Sequence, residues 1–279
     1  MSTDWVSDRL AEAAPIGLVE LDAVAALQHR VDTKYLITWQ QLDQVADDLT
    51  ATHRRLVIGG ISAFAYRSSY LDTSGRVCFH AHRQGRRLRF KVRTRCYDDT
   101  GLCRFEIKLK DGRSGTDKHA RTVPATQFAT VPDLALAFLS EVLATRYGMA
   151  APTGLAPRLL VSHHRHTLAA RSGACRVTLD SGLRFTAGPV TARLRDGLVL
   201  VETKSARGRS DADSLLRRVG ARPVNVSKYC AGMALTHPDL PDQPWRPLLR
   251  RYFTGPHPTG DGAMAGHHGQ PGRPAASYS

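Results

Sequence analysis

Charged and apolar residues alternate with a period of two through the middle of the chain. From Arg87 to Arg95 every odd position carries a cation, and the even positions 88–96 carry Leu, Phe, Val, Thr and Cys. Successive side chains of a strand point to opposite faces, so this segment predicts a strand with one cationic and one apolar face. Segment 102–110 repeats the pattern, and 98–101 between the two predicts a hairpin turn.

Weaker alternation predicts four more strands, and apolar spacing after polar starts predicts the helices. The further strands are predicted at 29–37, 158–168, 174–180 and 198–204. The helices are predicted at 39–50, 125–146, 209–219 and 228–236, with a weak one at 18–27.

The charged faces could point outward to water, with the apolar faces forming a sandwich core. That is the better interpretation for a single strand. In six strands, cations at so many sites of one face repel one another unless an anion lies among them. A dry interior is excluded because burying unpaired charges costs too much free energy. The pattern therefore favours an α+β fold, an antiparallel β-barrel tunnel with a basic, hydrated interior and helices packed outside.

This fold makes a geometric prediction about two sets of side chains. The first set points into one shared cavity and comprises Arg93, Arg95, Lys108, Arg176, Glu202 and Lys204. The second set packs outward under helices and comprises Phe90, Val92, Phe105 and Ile107.

Composition sets the class of protein and its division. Hydrophobic residues make up 42% and charged residues 23% of the 279, which is typical of a soluble globular chain without a transmembrane segment. The polar start and the five scattered cysteines, none spaced C-x-x-C, predict a cytoplasmic protein with reduced thiols. We expect a lead-in segment at 1–26, a folded domain at 27–236 and a mostly disordered Pro/Gly/His-rich tail at 237–279.

Charge points to a polyanionic partner. Basic residues outnumber acidic ones by 39 to 25, and the formal net charge is +14. Only seven of these cations are lysines, which marks them as positions that need a compact ammonium. Binding of nucleic acid is not favoured, because aromatic residues are only 7% and the strand cations alternate with aliphatic residues.

Seven short motifs occur in an order that resembles a known family. They are RVDTKY at 30–35, YRSSYLDT at 66–73, RTRCY at 93–97, FEIK at 105–108, RVTLD at 176–180, ETK at 202–204 and SKY at 227–229. Together they resemble the VTC domain of polyphosphate polymerases, a branch of the triphosphate tunnel metalloenzymes, from about residue 28 to 235. The resemblance implies a basic β-barrel tunnel and an enzyme that transfers the γ-phosphate of ATP to a growing inorganic polyphosphate chain.

The resemblance also implies the site residues. Its catalytic positions match Lys228, Arg93 and Arg95. The substrate-binding set, to which the lysine argument adds Lys204, is Lys34, Arg93, Arg95, Lys108, Lys118, Arg165, Arg176, Lys204, Ser227 and Lys228. Glu202 matches the metal-binding glutamate and would hold Mn²⁺ or Mg²⁺, hard ions that prefer oxygen ligands. The chain departs from the family in having Asp32 in place of Glu, and His163 in place of Tyr.

Several of these residues have a structural interpretation as well. Glu202 could pair with a neighbouring lysine, and Ser227 could cap the last helix. Glu106 is predicted to be an internal ion-pair partner of Lys108 rather than a second metal ligand. The histidines within 163–166 are predicted to lie on the surface.

Two other functions stay open. A hydrolase on the same scaffold would cut triphosphate or short polyphosphate with water, and hydrolytic relatives open with Glu-x-Glu-x-Lys. Here the opening strand has Arg30, Asp32 and Lys34 in those places, which favours gripping a polyanion over binding a second metal. The second alternative is a non-catalytic polyphosphate-binding module. Such a module would not need the carboxylate of Glu202 as a metal ligand.

Overall fold

A computed structural model of the protein describes residues 4–24, 31–110, 116–206 and 209–258. Its helices are α1 (Asp4–Arg9), α2 (Leu18–Val24), α3 (Trp39–Thr52), α4 (Val77–Arg83), α5 (Asp133–Tyr147), α6 (Asp211–Arg218), α7 (Lys228–Thr236) and α8 (Arg246–Tyr252). Its strands are β1 (Pro15–Ile16), β2 (Val31–Thr38), β3 (His53–Leu56), β4 (Phe64–Asp72), β5 (Arg89–Tyr97), β6 (Leu102–Lys110), β7 (Thr116–Val123), β8 (Ala156–Ala170), β9 (Cys175–Ala187), β10 (Val190–Leu194), β11 (Leu198–Ser205) and β12 (Phe253–Pro258).

All the strands join one sheet. Eight of them form its wall in the order β7-β6-β5-β4-β8-β9-β11-β2, and every neighbouring pair in this wall is antiparallel. Strands β10 and β12 extend the sheet from β9, and β3 joins β8. The α+β class and the antiparallel sheet therefore agree with the prediction.

The predicted barrel does not close. Within the described residues, the wall ends at β7 on one side and at β2 on the other, and no backbone pairing joins these two edges. None of the eight residues of β7 is buried, so no apolar contact draws this edge against β2. A side-chain ion pair does span the opening, because Lys108 Nζ on β6 lies 3.9 Å from an Asp32 carboxylate oxygen on β2. The wall is therefore curved enough to face itself while remaining open.

Helices cover the convex side of the wall, as the alternation predicts. Phe90, Val92, Phe105 and Ile107 are buried in one apolar cluster with Leu139 and Leu143 of α5. On the other half of the wall, buried residues of β2, β9 and β11 pack with residues of α3 and α6. The parity of the strands is confirmed by this burial, because each outward-facing set is the apolar one.

Helix α7 breaks the rule that helices lie outside. The ring of Tyr229 stacks on Tyr70 at 5.1 Å, and Tyr70 is directly opposite Arg93 on the concave side of the wall. Lys228 lies 2.5 Å from Asp180, which faces the same side. Strand periodicity could not predict this placement, because it specifies two faces without saying which helix lies against which.

Asp72, at the end of β4, holds α7 and α4 together. Its buried carboxylate accepts hydrogen bonds from the backbone amides of Cys78 and Phe79 at 3.0 and 3.1 Å, which satisfies the start of α4. The hydroxyl of Tyr229 donates to the same carboxylate. The acid therefore fixes the position of the helix that carries Lys228.

A glycine allows α7 to lie this close to the sheet. A Cβ atom built on Gly232 would come within 2.6 Å of both Leu159 and Phe185 side chains. We therefore expect Gly232→Ala to lower the free energy of unfolding by about 1–3 kcal/mol, as overpacking of a core does. Gly17→Ala is the matched control, because nothing lies within 4 Å of a Cβ there. Equal midpoints of urea unfolding for the two variants would contradict this account.

The helix predicted at 125–146 is shorter and begins later. A 3₁₀ turn covers Ala125–Gln127, and α5 starts only at Asp133, immediately after Pro132. Proline disfavours helical backbone in the residue before it, so the helix cannot extend back through this position. The helices predicted at 39–50, 209–219 and 228–236 agree with α3, α6 and α7 to within two residues, and the weak one predicted at 18–27 begins where α2 begins, with its last three residues outside the described residues.

The fold also extends past residue 236. Helix α8 packs Leu249 into the main apolar cluster, and β12 pairs with β10. Residues 237–258 therefore belong to the sheet and its covering layer, whereas the rest of the predicted tail lies outside the described residues. None of the helices in the described ranges has the length and hydropathy needed to cross a membrane.

The prediction of five reduced thiols is wrong for one pair. Cys96 and Cys103 are directly opposite each other on β5 and β6, with Cα atoms 4.1 Å apart, and they form a disulfide. The pairing register of β5 and β6 brings the two cysteines together, which their spacing along the sequence does not show. The other three cysteines, Cys78, Cys175 and Cys230, are free and buried.

Candidate functional site

The concave side of the wall gathers cations from both halves of the sheet. We call this the basic face, and its cations are Lys34, Lys91, Arg93, Arg95, Lys108, Lys118, Arg165, Arg176 and Lys204. The register places them there, since residues directly opposite on neighbouring strands share a face. The pairing Lys91–Lys108–Lys118 runs across β5, β6 and β7, and the pairing Lys34–Glu202 joins β2 and β11.

Glu106 organises the first group of cations. Its carboxylate is 2% exposed and lies 2.6 Å from Arg93 and 2.5 Å from Lys118. Burial alone would raise the pKa of Glu106, but the charges of Arg93, Arg95 and Lys118 together hold it well below its ordinary value. The acid is therefore ionised, and its partner is not Lys108 as predicted. Lys108 and Glu106 share a strand face without facing each other, whereas Arg93 is directly across.

Tyr70 completes the fixing of Arg93. The guanidinium donates to the Tyr70 hydroxyl at 2.8 Å and to Glu106 at 2.7 Å. Two partners on different strands leave this fork with little freedom, so its remaining N–H groups keep one direction. The pKa of Arg93 is raised, because the neighbouring Tyr70 and Glu106 outweigh the effect of burial.

Asp180 organises the second group. It is 1% exposed, and Arg165 grips it with two hydrogen bonds of 2.6 and 2.8 Å. Lys228, the first residue of α7, lies 2.5 Å from the same carboxylate. Burial opposes ionisation, yet Arg165 and Lys228 keep the pKa of Asp180 well below its ordinary range. Sequence reasoning missed Asp180 as a site residue, although it closes the motif at 176–180.

Arg95 differs from these cations. It is 7% exposed, its Nε donates to Ser68 at 3.3 Å, and its guanidinium lies 5.2 Å from the ring of Tyr66. Within the described ranges no carboxylate is in ion-pair distance of it. Burial and the neighbouring Arg93 lower the pKa of Arg95. Directly opposite stands another cation, Arg104.

Glu202 lies between two ammonium groups. Lys34 is 3.4 Å and Lys204 is 4.0 Å from its carboxylate oxygens. Burial would raise the pKa of Glu202, but these lysines hold it well below its ordinary value, so it is ionised. In the described part of the chain, no group of three or more His, Cys, Asp or Glu side chains could hold a metal ion, and this includes the surroundings of Glu202.

Glu202 and its surroundings fit a hard divalent metal ion that is bound together with phosphate. A hard ion such as Mg²⁺ is commonly held by one carboxylate, waters and the oxygens of a bound phosphate. Glu202 supplies an ionised carboxylate, and its two lysine neighbours are compatible with a metal only when phosphate charge is also present. The residues therefore fit a metal that arrives with a phosphate substrate.

The five lysines of the predicted substrate-binding set all lie on the concave side of the wall, four on the basic face and Lys228 on α7 beside it. Lys108 approaches Asp32 of the opposite edge, Lys34 and Lys204 flank Glu202, and Lys228 binds Asp180. Although about half of its side chain is exposed, partial desolvation lowers the pKa of Lys108 to about 8. Lys118 joins the Glu106 group.

Ser227 has both of the roles that the sequence left open, and Arg176, predicted to point into the cavity, also pairs with an acid of α2. Ser227 caps α7, since its hydroxyl accepts from the amide of Cys230 at 3.4 Å, and it also accepts from Lys91 Nζ at 2.8 Å. It is therefore a helix cap that touches the basic face. Arg176 shares the face of Lys204, but its guanidinium pairs with Asp22 of α2 at 3.2 Å. Arg176 thus lies at the end of the basic face that α2 covers.

The histidines predicted on the surface are mostly buried. His163 is 3% exposed, stacks on Tyr66 at 5.3 Å and has Nε2 3.6 Å from Asp180. Burial and the cations around it keep the pKa of His163 well below its ordinary value. His166 is also buried, and its ring is 2.9 Å from the Ser7 hydroxyl. The prediction failed because α1 and the basic face cover both sides of β8, which strand parity cannot reveal.

Comparison with known proteins identifies the family of this chain. The sequence model of the VTC domain matches residues 29–237. The protein belongs to the VTC domain family. This membership indicates chemistry on polyphosphate or a related triphosphate compound. No curated protein matches the chain in sequence.

Solved structures with a similar fold share little sequence with this VTC domain protein. A candidate adenylyl cyclase from Hippeastrum, described as having a dominant triphosphatase activity, is 13% identical with a TM-score of 0.45 and covers 77% of this chain and 98% of its own. The PH1819 protein of Pyrococcus horikoshii is 13% identical with a TM-score of 0.41 and covers 72% and 96%. A candidate adenylate cyclase from Bacillus halodurans is 11% identical with a TM-score of 0.42 and covers 72% and 94%.

Proposed function

We propose that this VTC domain protein is a polyphosphate polymerase. It would transfer the γ-phosphate of ATP to the end of a growing inorganic polyphosphate chain and release ADP, in a reaction that depends on Mn²⁺ or Mg²⁺. The proposal combines membership of the VTC family with the charge arrangement of the basic face.

The arrangement around Arg95 carries the proposal. A guanidinium that is 7% exposed, without a carboxylate partner in the described ranges and opposite Arg104, is costly for the protein alone. Lys91, Lys108 and Lys118 repeat this arrangement of like charges across three strands. A chain of phosphates removes the repulsion, since it brings several negative charges at short intervals.

The residues of the basic face divide the work of phosphoryl transfer. Such a reaction needs little covalent help from the protein and depends on positioning and charge neutralisation. Arg93 and Arg95 would grip the transferred phosphate with their forks, and Lys228 would add a point charge. Glu106 and Asp180 keep these cations in place before substrate binds.

The remaining predicted residues would guide the polyanion or hold the metal. Lys34, Lys108, Lys118, Arg165 and Lys204 would contact successive phosphates, with Ser227 at the α7 end and Arg176 near α2. Glu202 would hold the divalent ion together with substrate oxygens. When bound, that ion neutralises the charge that develops on the phosphates.

Transfer is favoured over hydrolysis by the opening strand. Hydrolytic relatives place a carboxylate where this sequence has Arg30, a position that lies outside the described residues. Asp32 and Lys34 follow on β2, where Asp32 lies 3.9 Å from Lys108. A cation in place of the first carboxylate favours binding of the polyanion over binding of a second metal ion.

Product analysis tests the proposal directly. Purified protein is incubated with ATP and Mn²⁺, and ADP, orthophosphate and polymer are measured in the same sample. We expect ADP to form with its phosphate recovered as polymer on a gel. Orthophosphate equal to ADP, with no polymer, would make the protein a hydrolase. Tight polyphosphate binding without either product, with any divalent ion, would make it a binding module and remove the metal role of Glu202.

A further inference from the structure

One long segment of the sequence contains no acidic residue, and only some of its cations belong to the proposed site. Between Asp72 and Asp98 there is no Asp or Glu, while seven arginines, one lysine and two histidines occur. Lys91, Arg93 and Arg95 belong to the basic face. The cations before them lie just before and within α4, in the loop that follows α4, and at the first position of β5.

These earlier cations are accessible and lack acidic partners. We call Arg83, Arg86, Arg87 and Arg89 the arginine patch. Arg86 and Arg87 are exposed, and Arg83 and Arg89 are partly exposed. Within the described part of the chain, none of the four has a carboxylate in ion-pair distance. Arg67, by contrast, forms an ion pair with Asp98 at 2.8 Å, which neutralises its charge locally.

The patch continues the basic face without a break. Arg89 is the first residue of β5 and has the same parity as Lys91, and it is directly opposite Lys110 of β6. His82, near the end of α4, is partly exposed, and partial burial together with the nearby charges of Lys91, Arg89 and Lys108 lowers its pKa. The loop is also held in shape, because Arg89 donates to the carbonyl oxygens of Gly85 and Arg86.

We propose that the arginine patch is a second, external polyphosphate-binding surface, which holds the part of a long chain that extends beyond the basic face. The inference rests on the proposed function, since it assumes that polyphosphate occupies that face. A short anion such as tripolyphosphate would be held by the basic face alone. A long chain would gain the additional contacts, so the patch would set a dependence of affinity on chain length.

Polyphosphate is favoured over nucleic acid as the occupant. Arg89 lies two residues before Lys91 on the same face of β5, so the patch borders the basic face and one continuous polyanion can contact both. Single-stranded nucleic acid would require aromatic side chains for base stacking. The only aromatic residue between Arg76 and Arg89 is Phe79, which is fully buried.

The test compares two variants of equal net charge in the full-length protein. The patch variant carries Arg83→Gln, Arg86→Gln and Arg87→Gln, and it retains Arg89 because that side chain holds the loop. The control carries Arg184→Gln, Arg209→Gln and Arg222→Gln, three exposed arginines without ion pairs among the described residues. Binding of tripolyphosphate, long-chain polyphosphate and a single-stranded oligonucleotide is measured over a range of salt concentrations.

We expect the patch variant to bind long-chain polyphosphate about tenfold more weakly than the control, with a salt slope smaller by about 2. Its affinity for tripolyphosphate should equal that of the control. Equal weakening in both variants would overturn the proposal in favour of a general field effect, and so would equal loss for the short and long anions. Oligonucleotide affinity that falls more than polyphosphate affinity would assign the patch to nucleic acid.

The two proposals fail in different ways. If the basic face is used but the patch is not, the patch variant binds tripolyphosphate and long-chain polyphosphate each as tightly as the control does, and polymer still forms. If the basic face does not bind polyphosphate, Arg93→Ala leaves the affinity for tripolyphosphate unchanged. The two results can be read from the same binding assay.

Discussion

Replacing Arg93 with alanine is expected to lower the rate of phosphoryl transfer about 100- to 1,000-fold and to weaken binding of tripolyphosphate. Arg93 is held by Glu106 and Tyr70, so its fork is oriented before substrate arrives. A preorganised donor of this kind stabilises developing charge without reorganising during the reaction. The measurement is the rate of ADP formation from ATP, together with calorimetric binding of tripolyphosphate.

Arg67→Ala is the matched control for this change. Arg67 lies on neighbouring β4, faces the convex side and is bound to Asp98 at 2.8 Å. Its replacement therefore removes the same type of side chain from the sheet without changing the basic face.

Because Arg93→Ala leaves Glu106 buried with fewer cations, the thermal unfolding of this variant must be measured as well. Arg93→Lys keeps the charge but loses the fork, and we expect an intermediate rate. An alanine variant that folds and works like Arg67→Ala would contradict the role of Arg93.

Replacing Glu202 with glutamine should separate metal use from anion binding. We expect metal-dependent turnover to fall by about 100-fold or more, since the hard-ion site loses its charged ligand. Without metal, binding of tripolyphosphate should not fall and should strengthen, because Lys34 and Lys204 lose the anion that now occupies them. Mn²⁺ binding in the presence of tripolyphosphate, followed by electron paramagnetic resonance, gives a readout that does not depend on turnover.

Glu141→Gln is a suitable control for the loss of one carboxylate. Glu141 is on α5, is largely exposed and pairs with Arg121 at 3.2 Å on the outside of the fold. If Glu202→Gln retains full turnover and Mn²⁺ binding, Glu202 is only an ion-pair partner of the two lysines.

The sequence alone determined the faces of the predicted strands and the approximate positions of about half of the elements, whereas β7, β10 and α4, for example, were not predicted. The odd and even positions of 87–97 and 102–110 separated the basic face from the apolar side that α5 covers, because a strand alternates its side chains whatever its neighbours are. The hairpin and three of the helices followed from local signals in the same way. The predicted start of α5 was wrong because it followed the apolar spacing alone, although Pro132 is a local signal that stops the helix from extending further back.

Only the tertiary structure decided which charges meet. Glu106 binds Arg93 and Lys118, and Asp180 gathers Arg165 and Lys228, because strand order and register bring together residues that are far apart in the chain. The same holds for the Cys96–Cys103 disulfide, for buried His163 and for the placement of α7 on the concave side. A period of two states which face a side chain takes, but it carries no information on the strand, helix or edge across from it, and those neighbours set the burial, pKa and partner of every charge on the basic face.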